Sequence, residues 1–230
     1  MVPIKDNLDR IHKQIVETCF SCGRNPDTVQ LIAVSKKKSA EAITKAIHAG
    51  ARHFGENYIQ EAVDKIAIIG KDSACWHFIG HLQSNKAKFA VNNFEYIHTV
   101  DTVKLAKEID KQAKKIQKIQ KILFQVNIGQ EETKSGSGIK EAVELVKQIS
   151  GLQNISIQGL MCMPPYFSNP EHARIYFKQL VQLKKEILTH HLDNVSMEHL
   201  SMGMSNDFIV AIQEGSTMVR IGTSIFGGRD

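Results

Sequence analysis

Apolar residues recur along this chain with two alternating periods. Ile4, Leu8, Ile11, Ile15 and Cys19 follow one another at three- and four-residue steps, which predicts an amphipathic helix at the start. Turn residues Asn25-Pro26-Asp27 then lead into Val29-Gln-Leu-Ile-Ala-Val-Ser-Lys36, a nearly continuous apolar run of the kind that strands buried on both faces require. Ser39 is placed to cap the next helix, Ala42, Ile43, Ala46 and Ile47 form its stripe, and Gly50 ends it. The alternation continues, with strands predicted at 53–57, 76–80, 96–100, 121–127, 155–163, 195–203 and 216–222, eight with the first. Helical stretches lie between them, one with Ile139, Ala142, Val143, Val146 and Ile149 on one face and one opened by Asn169-Pro170.

No Pro/Gly/Ser-rich linker divides the chain, and its 230 residues are close to the usual length of a barrel. The pattern predicts an α/β fold: a single (β/α)8 TIM-type barrel over residues 1–230 with an extra N-terminal helix. No GxGxxG or Walker A sequence argues for an open dinucleotide- or nucleotide-binding sheet.

Composition narrows the reading. The chain is 42% hydrophobic and 23% charged, an ordinary globular make-up. A net charge of +5 is too mild to indicate a nucleic-acid binder and suits small anionic ligands. No run of 18 apolar residues exists, and Met-Val-Pro-Ile-Lys-Asp places charge where a secretory signal needs an apolar stretch, so a cytoplasmic protein without a membrane partner is expected. Cys19, Cys22, Cys75 and Cys162 are expected to be reduced. Cys19-Phe-Ser-Cys22 has CxxC spacing, but no second ligand pair follows and Cys19 continues an apolar stripe, so packing is expected and no metal ligand is assigned. Lys104, Lys107, Lys111, Lys114, Lys115, Lys118 and Lys121 read as a solvated helix face rather than an RNA site, because Glu108 and Asp110 interrupt them and no aromatic ladder accompanies them.

The working face of such a barrel lies where the strands stop. Lys36 ends the first run with the side-chain parity of Val34 and Ile32, so it reads either as an amine at the barrel mouth, desolvated and nucleophilic toward an aldehyde, or as a surface residue of the run Lys36-Lys37-Lys38. Arg220, between Val219 and Ile221, needs an acceptor that an anionic or electron-rich ligand, or the Glu198 carboxylate, would supply. Barrel closure makes the last strand the neighbour of the first, so Lys36 and Arg220 are expected to project into one volume. The loops Leu200-Ser-Met-Gly-Met-Ser205 and Gly222-Thr-Ser-Ile-Phe-Gly227 have the composition of a phosphate cradle, with a helix dipole expected near Ser205; the alternative is two capped turns. Amine, cradle and a donor to an aromatic nitrogen together fit pyridoxal 5′-phosphate. Lys36 would hold it as a Schiff base, Ser201, Gly222 and Thr223 would bind its phosphate with Met202 of the same loop also at the cofactor, and Arg220 would donate to the pyridine nitrogen. Arginine cannot give up a proton there, so the ring would be a poor electron sink.

Several stretches carry a further signal: Ala33-Val-Ser-Lys36, Phe54-Gly-Glu-Asn-Tyr-Ile-Gln-Glu61, His77-Phe-Ile-Gly-His-Leu-Gln-Ser-Asn-Lys86, Lys134-Ser-Gly136, Gly159-Leu-Met161, Leu200-Ser-Met-Gly-Met-Ser205 and Gly215-Ser-Thr-Met-Val-Arg-Ile-Gly-Thr-Ser-Ile-Phe-Gly227. As a set covering nearly the whole chain, they resemble the pyridoxal phosphate homeostasis proteins. The resemblance implies a barrel like the N-terminal domain of alanine racemase, a cofactor lysine at Lys36 and Asn57 near the cofactor. It implies a binding protein in intracellular vitamin B6 homeostasis, with pyridoxal-phosphate-dependent apoenzymes as partners, rather than a catalyst. His81 and Asn206 depart from the family pattern, which often has proline and aspartate there. The alternative, an amino-acid racemase, needs a second acid/base opposite the lysine, and none of Tyr58, Tyr96, Tyr166 and Tyr176 is clearly placed for it.

Overall fold

A computed structural model describes residues 3–131 and 135–228, so Lys134 of the quoted motif lies outside the described residues. Helix α1 (Ile4–Ser21) precedes a regular alternation: β1 (Gln30–Val34), α2 (Ala40–His48), β2 (His53–Glu56), α3 (Ile59–Ile69), β3 (Cys75–Phe78), α4 (Ala87–Asn93), β4 (Tyr96–Val100) and α5 (Val103–Lys115). It continues with β5 (Gln120–Val126), α6 (Ile139–Ser150), β6 (Ile155–Cys162), α7 (Arg174–Leu188), β7 (Val195–Ser201), α8 (Phe208–Gln213), β8 (Met218–Ile221) and α9 (Thr223–Phe226). The eight strands are parallel and closed in sequence order, β8 pairing back onto β1. This is the expected TIM-type barrel with its extra helix in front.

Local chemistry explains the boundaries. Ser39 accepts from the Ala42 N–H and starts α2, and Thr102 does the same for α5 through Leu105. Asn169-Pro170 opens a short 3₁₀ turn, with the Asn169 side chain accepting from the Glu171 N–H, before α7 begins at Arg174. Several runs overshoot their strands: β1 stops at Val34, β7 at Ser201 and β8 at Ile221, and after β7 the buried Met202-Gly203 continues the apolar composition into the loop.

Two apolar compartments result. The larger lies between strands and helices and includes Leu8, Ile11, Ile15 and Cys19 of α1 as well as Ala33, Phe54 and Trp76. The smaller fills the barrel with Ile32, Tyr96, Leu123, Met161 and Met218. The Cys19–Cys22 pair has no joint role: both thiols are free, Cys19 fully buried and Cys22 exposed. The basic stretch is not one solvated face either. Lys104, Lys107, Lys111, Lys114 and Lys115 are exposed, but Lys118 donates to the Val91 and Phe94 carbonyls, and Lys121 pairs with Glu95. No helix among the described residues is long and apolar enough to cross a membrane.

Close backbone approach sets the mouth. A Cβ on Gly80, just past β3, would lie 2.0 Å from the Asn57 carbonyl oxygen. Gly80→Ala is therefore expected to lower the unfolding free energy by about 1–3 kcal/mol, measured in urea; an unchanged midpoint would contradict this close packing.

Candidate functional site

Past the end of β1 the chain turns sharply: Ser35 N–H donates to the Gly55 carbonyl (3.0 Å), Lys38 N–H donates to the Ser35 carbonyl (3.0 Å), and Lys37 takes a left-handed conformation (φ 60°). Lys36 sits in this turn, two residues beyond the strand it was expected to end, and is half-buried while Lys37 is exposed. It lines a cavity of about 710 Å³ with Arg10, Lys38, Thr223 and Ser224, a cation- and hydroxyl-rich lining suited to an anion.

A buried ion cluster fixes that turn. Glu56, fully buried at the end of β2, accepts from the Ser35 hydroxyl (2.7 Å) and from Lys65 Nζ (2.8 Å). Lys65 also donates to the Ser35 carbonyl (2.8 Å) and to Glu61 (2.5 Å), and Glu61 accepts from the Lys37 N–H. Burial pushes the Glu56 carboxyl up, opposed by Lys65 and the Ser35 hydroxyl. Sequence reasoning missed Lys65 and Glu61. Their signal was a lysine inside the apolar stripe of α3, four residues after a glutamate.

Arg220 is 4% exposed and its acceptors are neutral: Ser201 Oγ (2.5 Å) and the Cys162 carbonyl (2.8 Å). Among the described residues no carboxylate lies at ion-pair distance from it, and the alternative partner Glu198 is exposed to solvent. Arg220 pairs in register with Ile32, so it lies deeper in the barrel than Lys36, and it does not line the Lys36 cavity. The link between the two is β8 itself. Arg220 leads through Ile221 and Gly222 to Thr223 in the cavity wall, and a Cβ on Gly222 would stand 3.2 Å from the Val34 carbonyl oxygen.

The loop after β7 differs from expectation. Ser201 is the last residue of that strand, fully buried, and its hydroxyl is held by Arg220 and by His98 Nδ1 (3.0 Å) rather than offered in a loop. The Met202 side chain is fully buried in the larger core and its N–H donates to the Met218 carbonyl. The expected helix, α8, begins three residues past Ser205, at Phe208. Asp207 accepts from the Met204 N–H (2.6 Å), closing a turn first. Asn57 follows β2 at the mouth, and its side-chain Oδ1 is buried without a hydrogen-bond partner. His81 is exposed and hydrogen-bonded to Ser135; Asn206 is exposed and donates to the Phe167 carbonyl.

His98 is buried, yet it belongs to a polar line through the barrel. Its Nε2 is 2.9 Å from His77 Nδ1, and His77 Nε2 is 3.0 Å from His53 Nδ1. Burial holds His77 and His98 well below the usual imidazole range, so both are neutral near pH 7. Tyr96 stacks on His77 at 4.9 Å, which places it inside the barrel; Tyr58 and Tyr166 are exposed.

Comparison with known proteins agrees with this frame. Residues 7–230 match the family model described as the alanine racemase N-terminal domain. The pyridoxal phosphate homeostasis protein of Aquifex aeolicus is 41% identical over 97% of both chains, and that of Escherichia coli is 41% identical over 100% of this chain and 98% of its own. The structure of PipY from Synechococcus elongatus, solved with pyridoxal phosphate bound, is 38% identical with a TM-score of 0.81 over 93% of this chain and 100% of that one. Alanine racemase of Clostridium difficile shares the fold (TM-score 0.73, 14% identity), and this chain, matched along 100% of its length, spans 56% of that one. Matched end to end by relatives of its own length, and by the larger racemase only across one barrel, the chain belongs to the pyridoxal phosphate homeostasis protein family.

Proposed function

We propose that this chain binds pyridoxal 5′-phosphate at the C-terminal mouth of its barrel and keeps it available to cytoplasmic apoenzymes without turning over a substrate. The observation that carries the reading is a buried arginine with only neutral acceptors, one short stretch of β8 away from a cavity shared by Lys36 and Thr223. The donor set fits the cofactor. An amine, hydroxyls and cations surround the cavity, and Asn57 Oδ1 is a buried acceptor in want of a donor. The family relationship and the cofactor bound to PipY point the same way.

Lys36 would hold the cofactor covalently through its amine, Thr223 and the Gly222 backbone would receive the phosphate, and Asn57 would meet the ring's polar edge. When bound, pyridoxal phosphate supplies an aldehyde and an electron-accepting ring. Ser201 orients Arg220, whose guanidinium would donate to the ring nitrogen. Because that guanidinium stays charged and has no proton to give, it keeps the nitrogen unprotonated and the ring a weak electron sink. Buffering rather than catalysis follows.

Two measurements test this. Thr223→Val should weaken cofactor binding by about tenfold or more, since a hydrogen bond to a charged group contributes roughly 1.5–3 kcal/mol; unchanged retention on dialysis removes Thr223 from the site. The loaded protein should show negligible racemase or transaminase turnover with common amino acids. Turnover on the order of 1–10³ per second would instead identify an enzyme.

A further inference from the structure

The barrel carries a second cluster of donor groups that the cofactor site does not use. His53 and Cys75, the first residues of β2 and β3, are register partners, and His77 stands two residues beyond Cys75 on the same face of its strand. His77 Nε2 is 3.0 Å from His53 Nδ1 and 3.4 Å from Cys75 Sγ, and the three donor atoms lie within 4.8 Å of one another. One ring nitrogen has one lone pair or one proton, so Nε2 completes a hydrogen bond with only one of its two neighbours. An ion between them would satisfy all three.

We propose that His53, Cys75 and His77 form a transition-metal site of the zinc class at the N-terminal mouth of the barrel, with water as the fourth ligand. Tetrahedral zinc, about 2.0–2.1 Å from nitrogen and about 2.3 Å from sulfur, sets its ligand atoms roughly 3.3–3.6 Å apart. The 3.0 and 3.4 Å separations lie close to these values, and the third pair, His53 Nδ1 and Cys75 Sγ, lies within 4.8 Å. Two imidazoles and a thiolate form a donor set that selects zinc over magnesium or calcium. As the sulfur–metal bond forms, the Cys75 thiol gives its proton to solvent, and no electron is exchanged. A cleft of about 440 Å³ reaches Cys75, which lines it with Ala74, Trp76 and Glu95. His77 also has the outer support typical of a metal-bound histidine, since its Nδ1 faces His98 Nε2 at 2.9 Å.

The ion also orders the polar line above it. With Nε2 of His77 on the metal, its proton resides on Nδ1 and is donated to His98 Nε2. His98 then donates from Nδ1 to Ser201 Oγ, the hydroxyl that also accepts from Arg220. Occupancy at one end of the barrel thereby sets the direction of hydrogen bonding up to the arginine at the other end.

The test uses the full chain, stripped of metal with a chelator and titrated with Co(II) and with Zn(II). One ion should bind per chain, and cobalt should give a thiolate-to-metal charge-transfer band with the intense d–d bands of a four-coordinate site. Cys75→Ser should abolish the charge-transfer band, and His53→Gln should weaken binding by at least about 10–100-fold, the loss typical of a supporting residue alone. Cys22→Ser and the double variant His190→Gln/His191→Gln, which remove an exposed thiol and an exposed histidine pair, should bind as the parent does. Thermal melts without metal establish that each variant folds. In the unmutated protein, zinc should shield Cys75 but not Cys22 from alkylation, and nitrogen NMR should find His77 and His98 both protonated at Nδ1. No binding, a cobalt spectrum without the thiolate band, binding that survives Cys75→Ser, alkylation of Cys75 indifferent to zinc, or a zinc-saturated His77 protonated at Nε2 would each overturn the site.

Discussion

Lys36→Ala protein should fold and carry no covalently attached pyridoxal phosphate. Lys36 is half-buried in a turn outside β1, so its removal opens no core cavity, while the only amine proposed to hold the cofactor is lost. Loading the parent protein, reducing it with borohydride and mapping its peptides should place the adduct on the peptide containing Lys36. The visible absorption of the loaded protein should be absent from the variant. An adduct found chiefly on Lys37 or Lys38, which share the turn and line the same cavity, would move the anchor and with it the reading of the site.

Lys65→Met should have the largest effect on stability, about 3–5 kcal/mol, because it leaves the fully buried Glu56 carboxylate facing Glu61 without its cation. The pH dependence carries the diagnosis. Burial raises the Glu56 carboxyl in the folded parent, and loss of Lys65 should raise it further. A carboxyl with a higher pKa folded than unfolded binds more protons in the folded state, so stability falls as pH rises through the interval between the two values. The variant should therefore approach the parent in acid, where Glu56 is protonated, and separate from it as pH rises above the ordinary carboxylate range. Urea midpoints across pH measure this directly; a uniform loss at every pH would assign the effect to packing. The same variant should release the Ser35–Lys37 turn and weaken cofactor retention.

Which parts of the molecule could be read in advance follows from how far apart the interacting residues lie. The eight strands, the helix that precedes them and caps such as Ser39 and Asn169 rest on neighbours within one or two turns of chain, and the periodicity carries them. Strand ends were less legible, most of all after β7, where the buried Met202-Gly203 has the apolar composition of the strand it follows. Ser201 illustrates the limit: a serine before Met-Gly-Met reads as a loop donor, and only the pairing of β6, β7 and β8 reveals it as a buried acceptor for Arg220.

By itself the sequence determined the barrel, a lysine at the close of the first apolar run and the presence of an arginine in the last, because a fully buried parallel strand requires an apolar run and a charge that interrupts one is conspicuous. Only the tertiary structure decided what those charges face. His53, Cys75, His77 and His98 come from three strands, Glu56 and Lys65 from a strand and a helix, and Arg220 and Ser201 from two more strands; closure of the barrel brings them together. Side-chain parity can place a residue inside a barrel, but the stagger of its neighbours sets the height at which each one meets its partner, and that stagger is a property of the closed sheet rather than of any segment.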